Sequence, residues 1–168
     1  TLGVTTEALY RYAQRVVPQL CVYKMPRATC IHFVHSAQTS YIYTSTSSDT
    51  TRQQLNYLTE HYFAPLHMTP PEALPKAKEH FRNKYLAYNK FFFIFHHKSL
   101  YLLNTNLVIE EKNPSEVIDI DFLVVSFGCW MRYSDVSKQI HPRQVILSSD
   151  FPYSYRQIWI AVCKKAHI

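Results

Sequence analysis

The sequence predicts an α/β layered fold, and three observations carry that expectation. Strand-like runs separated by short turns fill much of the first hundred residues, with helical patterns interleaved. The last third alternates strand, helix, strand, helix. Within it, Phe122–Phe127 is too uniformly apolar for an edge strand and reads as one buried on both faces.

Taken in order, Thr5-Thr6-Glu7 followed by Ala8, Leu9, Tyr12, Ala13, Val16 and Val17 reads as a capped amphipathic helix that Pro18 ends. Three strands follow, Leu20–Met25, Thr29–His35 and Ser40–Thr44, turned at Pro26-Arg27 and at Ser36-Ala37-Gln38. Asp49 is placed to cap a helix whose apolar positions are Leu55, Leu58, Tyr62 and Phe63. His67 to Pro75 holds three prolines and is the best linker candidate. Phe91–His96 and Ser99–Leu103 form a hairpin around His97-Lys98, and Asn113-Pro114-Ser115 is a turn. Arg132–Gln139 is a short helix, His141-Pro142 a loop, Gln144–Ser148 a strand, and Ser154–Ala166 a helix with Ile158, Trp159, Val162 and Cys163 inward.

Composition narrows the function classes. With 168 residues, 47% hydrophobic and 15% aromatic, the chain has the length and content of one packed domain. Its only glycines are Gly3 and Gly128, so neither a P-loop nor a dinucleotide fingerprint can be built. A net charge of +6 permits an anionic partner, nucleic acid or lipid, as well as a merely solvated basic surface. Cys21, Cys30, Cys129 and Cys163 form no C-x-x-C pair, which argues against a zinc knuckle or a redox motif. Cys21 and Cys30 fall on adjacent strands, where they pair or, as small apolar residues, are simply buried. No signal peptide and no apolar run of membrane-spanning length is visible.

The histidines offer little to a metal. In a strand His96 and His97 point to opposite faces, as do His32 and His35, so neither pair can share one ion. Asp119 and Asp121 share a face at a strand entrance, as a carboxylate pair or as polar residues opening a buried strand. Ser148-Ser149-Asp150 reads as a strand end and helix-capping loop, and there is no G-x-S-x-G elbow. By contrast, Lys76, Lys78, Arg82 and Lys84 with Phe81, Tyr85 and Tyr88 put cations and flat rings in one short segment. Single-stranded DNA needs both, cations for phosphates and aromatic faces for bases. If helical, the segment carries Lys78, Arg82 and Tyr85 on one face; the alternative is an amphipathic connector with buried aromatics and solvated lysines.

The run Gln19 to His35 with Tyr41–Tyr43, the run Phe91 to Asn106, Ile120–Gly128, Pro142–Ser148 and Tyr155–His167 together resemble a known family. It is the C-terminal soluble domain of ComEC-type competence proteins, the inner-membrane channels for DNA uptake, related to the metallo-β-lactamase fold. The resemblance implies a layered αββα sandwich over residues 19–168, with or without its last strand, and a helical connector over residues 1–18 to an upstream membrane region. In active relatives a His-x-His-x-Asp-His turn, a Thr-Gly-Asp hairpin end and a His-His-Gly-Ser strand end hold one or two zinc ions. Here the first is missing, Asn104 or Asn106 stands at the bridging aspartate, and Ser126, Phe127 and Gly128 stand at the late histidines. Phe127 and Trp130 are expected to fill the former cleft.

The expectation is therefore a degenerate, non-catalytic domain with no metal and no cofactor. It would sit on the periplasmic side of the inner membrane, beside the transmembrane channel part of the same polypeptide. Its partner would be single-stranded DNA, met by Lys76, Lys78, Arg82, Lys84 and Tyr85. A metal-dependent nuclease with relocated ligands and a purely structural interaction domain are the alternatives.

Overall fold

The computed structural model describes residues 18–25, 28–45, 49–58, 60–61, 68–74, 80–104, 117–126 and 128–168. Among them it shows a mixed α/β protein with two sheets and three helices. The expected helix at Thr5–Val17 and the turn at Asn113–Ser115 lie outside these residues. The chain forms two compact units, one of residues 1–23 and 30–74, the other of residues 24–29 and 75–168.

The first unit is built on a four-stranded sheet of order β1-β2-β3-β4: Gln19–Met25, Ala28–Ser36, Thr39–Thr44 and Glu72–Ala73. β2 and β3 are antiparallel, with Ile31 opposite Tyr43 and Phe33 opposite Tyr41. Their turn is fixed locally, because Ser36 Oγ accepts the N–H groups of Gln38 and Thr39 at 3.3 and 3.1 Å. β3 and β4 run parallel, so the chain must cross over between them, and helix α1 (Asp49–Leu58) lies in that connection. β2 has neighbours on both sides and is buried from Ala28 to Val34.

The second unit carries a six-stranded sheet of order β10-β9-β8-β7-β6-β5. These strands are β5 His80–Arg82, β6 Leu86–Asn89, β7 Phe92–Phe95, β8 Lys98–Leu103, β9 Ile118–Val125 and β10 Ile140–Leu147. β8, β9 and β10 are parallel and the rest antiparallel. The apolar run from Phe122 is thus in the central strand of a parallel trio, where both faces need apolar side chains. On one face Leu103, Leu123 and Val125 pack with Trp159 and Cys163 of helix α3 (Tyr153–Lys165) and with Val136 of the short helix α2 (Tyr133–Val136). The other face carries Leu86, Tyr88, Phe93, Phe95, Leu100, Leu102 and Val124, all buried.

Ile120 and Ile140 also belong to the helix-covered cluster. In β9 the Asp121 N–H donates to Ser99 Oγ at 3.0 Å while its carboxylate accepts the Ser99 N–H at 3.0 Å, a reciprocal pair between β8 and β9.

Four sequence expectations change. β10 starts at Ile140, so His141-Pro142 is strand rather than loop; a proline inside a run reads as a break, but β10 is a sheet edge, where one is tolerated. The helix expected over Arg132–Gln139 is a single turn. In α3 only Trp159 and Cys163 are buried, whereas Ile158 is 57% and Val162 38% exposed. Finally, His96 and His97 are not strand neighbours but the two-residue turn between β7 and β8, both at positive φ (46° and 63°), the twist that tight hairpins prefer.

Candidate nucleic-acid interface

The α2–α3 layer packs on β8, β9 and β10, and among the described residues no helix packs on the same face of the antiparallel end of the sheet. Cross-strand pairing shows what stands there, since residues directly opposite share a face. One row runs Arg82, Ala87, Ile94, Ser99; the next runs His80, Asn89, Phe92, Tyr101. Phe92 and Tyr101 are partly buried at the margin of the helix-covered cluster, and Ile94 is 43% exposed. The apolar block Phe91–Phe95 is therefore core on one side only.

At the end of these rows the turn between β5 and β6 is pinned by Asn83. Its Oδ1 accepts the N–H groups of Tyr85 and Leu86, each at 2.8 Å, and its own N–H donates to Leu86 O at 2.9 Å. This holds Lys84 at the tip with its Nζ 5.5 Å from the Tyr85 ring centroid, within cation–π range. Tyr85 in turn stacks on His96, with centroids 5.7 Å apart and planes at 22°. The His96 N–H donates to Tyr85 O at 3.2 Å, which ties the two hairpin turns together.

Residues 80–104 contain Arg82, Lys84, Lys90 and Lys98 and no aspartate or glutamate. One of these cations is engaged: Lys98 Nζ binds Asp121 Oδ1 at 2.8 Å, and this bond, with the Ser99 N–H, holds the Asp121 carboxyl below the ordinary range. Asp121 and Asp119 do not act as a pair. Asp119 is exposed and lies 3.8 Å from His141 Nδ1, while Asp121 is turned toward Lys98 and Ser99.

Of the five residues expected to meet nucleic acid, Arg82, Lys84 and Tyr85 meet at this end of the sheet; Lys76 and Lys78 lie outside the described residues. The grouping is built on strand and turn, not on a helix. Periodicity over so short a segment could not separate the two, although Asn83, a strong turn former, marked the break. Ile94, Phe92 and His96 were not in the expected set and came in only through strand register.

Of the positions expected to mark a lost metal site, Asn104, Ser126 and Gly128 are described and lie at the carboxyl ends of β8 and β9, where open parallel sheets commonly place ligands. Ser126 N–H donates to Leu103 O at 3.0 Å, and Ser148 N–H to Val125 O at 2.8 Å, so Asn104, Ser126 and Ser148 end adjacent strands. Gly128 has φ of +100°, and a Cβ there would collide with the Asn104 carbonyl oxygen. It is the one residue type that lets this turn lie against the end of β8. Asn104 Oδ1 and Ser148 Oγ are buried without hydrogen-bond partners, and Asp150 Oδ2 accepts from Thr29 Oγ1 at 3.4 Å. Arg156 Nη2 closes the loop by donating to the carbonyls of Ser148, Ser149 and Phe151, each at 3.1 Å.

This donor set does not fit a zinc ion: a neutral amide and two hydroxyls lack the thiolate, imidazole or paired carboxylate that zinc selects. Among the described residues no three His, Cys, Asp or Glu side chains converge. Asn106 and Phe127 lie outside the described residues. Trp130 does not fill a cleft: it is 51% exposed, edge-on to Tyr155 at 5.3 Å, and the groups buried in this turn are Ser126 and Cys129.

A parallel three-strand core with an antiparallel extension and a helix layer define a mixed α/β domain. The ComEC C-terminal domain family matches residues 20–168, and the chain belongs to that family. Membership ties it to the membrane proteins of competence DNA uptake. No curated protein and no solved structure matches the chain. Among the described residues no helix is long and apolar enough to cross a membrane.

Proposed function

We propose that this is a non-catalytic domain of a DNA-uptake channel and that the face of β5–β7 carrying Arg82 and Ile94 contacts single-stranded DNA. The observation that carries the reading is the convergence of Arg82, Lys84 and the Tyr85–His96 stack on a sheet end whose sequence contains no acidic residue. Cations there track phosphates, and the flat groups accept bases whatever the sequence. The scaffold is read as a degenerate metallo-β-lactamase-like layered sandwich. Its support is the parallel trio β8–β10 with neutral residues at the strand ends where a hydrolase needs ligands. By the same resemblance the domain faces the periplasm beside the channel part of its own polypeptide.

Fluorescence anisotropy with a labelled oligodeoxynucleotide of about 20 nucleotides tests the contact. Arg82→Ala with Lys84→Ala should weaken binding and flatten the log–log salt slope by about 1.4, two phosphate contacts at roughly 0.7 each. Tyr85→Ala should cost about 1–3 kcal/mol while leaving the slope unchanged, because stacking releases no counterions. Wild-type protein without affinity at low salt would remove the DNA contact and leave a scaffold.

A further inference from the structure

Most of the large apolar side chains exposed in the second unit crowd its α3 end rather than scattering. Tyr155, Ile158 and Val162 stand at i, i+3 and i+7 and so form one strip along α3, flanking the face that buries Trp159 and Cys163, with Tyr155 itself partly packed on the core. Trp130 extends the strip at its N-terminal end, edge-on to Tyr155. Tyr153, the most exposed of the large apolar side chains at 73%, begins the helix. Lys164 and Lys165 stand in the last turn, Lys165 on the strip side seven residues after Ile158. Residues 151–168 contain no aspartate or glutamate.

A solvent-facing helix ordinarily shows charge of both signs on its outer face. The exposed flank of this one shows branched apolar residues, with an exposed aromatic ring at one end and cations at the other. That is the pattern of a helix lying on a lipid surface, with apolar side chains below the headgroups, aromatic rings at the interface and lysines meeting anionic phosphates. A protein partner of ordinary composition has no need of the one-signed charge. We propose that the exposed flank of α3 carrying Ile158 and Val162, with Trp130, rests on an anionic membrane surface. The idea does not depend on the DNA contact, which uses a different part of the sheet.

The full chain is titrated with vesicles of phosphatidylcholine alone and with about 30 mol% phosphatidylglycerol. Binding is read by flotation and by tryptophan emission. The chain has two tryptophans and Trp159 is already buried, so a blue shift on binding reports Trp130 and should vanish in Trp130→Phe. Anionic vesicles should bind and neutral ones bind at least tenfold more weakly. Ile158→Ser and Val162→Ser should each weaken partitioning by roughly tenfold, and Lys164→Gln with Lys165→Gln by about 25-fold, near fivefold per cation. If a serine variant loses its native circular dichroism, the lysine pair and Trp130→Phe still decide. Equal binding to neutral vesicles, or no binding to either, overturns the proposal. So does a concentration-dependent dimer abolished by Ile158→Ser in the absence of lipid affinity, which would assign the face to a second copy of the chain.

Discussion

Replacing Gly128 by alanine is expected to destabilise the second unit by about 2–6 kcal/mol, a large fraction of what a domain of this size possesses. Two costs combine. At φ of +100° an L-residue is strained by roughly 1–3 kcal/mol. The added Cβ also meets the backbone carbonyl of Asn104, which cannot rotate away as a side-chain tip would. Relief requires moving the end of β8, which is held by Ser126 N–H on Leu103 O and bordered by the buried Leu102 and Leu103. Forcing atoms into a filled interior costs roughly a further 1–3 kcal/mol. Urea unfolding followed by circular dichroism should show the midpoint falling at unchanged slope. A loss under about 1 kcal/mol would mean that this turn relaxes freely and that Gly128 is not holding the strand ends together.

Acid should weaken the first unit through a single histidine. His32 lies in β2 with no solvent exposure, its Nδ1 2.9 Å from the Tyr23 hydroxyl. Burial pushes its pKa down from 6.5 to about 4, so the folded state keeps the neutral ring where the unfolded chain takes up a proton. Below pH 6.5 the unfolded state therefore binds more protons, and stability falls with pH until the folded ring titrates near 4. Across that window the loss approaches about 3 kcal/mol, from roughly 1.4 kcal/mol per unit of pKa difference. His32→Gln should cost stability at pH 7 yet show a shallower decline between pH 6.5 and 4.5. Parallel pH profiles for wild type and variant would show that His32 is charged in the folded protein.

The first three strands of the first unit were legible because their signals agree: β-rich runs, a proline and a serine turn, and lengths within one or two residues of those observed, whereas β4 (Glu72–Ala73) lies in the stretch expected to be a linker. β7–β8 was legible for the same reason. What escaped was information the chain holds only through pairing. His141-Pro142 looks like a break until Ile140 is seen opposite Ile118 at the sheet edge. Lys78, Arg82 and Tyr85 suit a helical face as well as Arg82 suits a strand row, and only register chooses. In α3 four inward residues were expected and two are buried, because an apolar arc wider than the contact leaves its margin in water. Trp130 was assigned to a filled cleft on the strength of size alone, whereas its place on the surface follows from the Ser126–Cys129 turn that precedes it. The amide and hydroxyl strand ends were legible as residue types, and the collision that fixes Gly128 against Asn104 was not.

The claim that the β5–β7 end of the sheet receives single-stranded DNA is tested most directly by photo-crosslinking. A 5-bromouracil-substituted oligodeoxynucleotide is irradiated with the protein, and the adducts are mapped by mass spectrometry. Crosslinks at Tyr85, His96 or Phe92, reduced by Arg82→Ala with Lys84→Ala and by added salt, are the predicted result. Adducts confined to α3 or the strand ends of β8–β10, with the β5–β7 face unmarked, would contradict it.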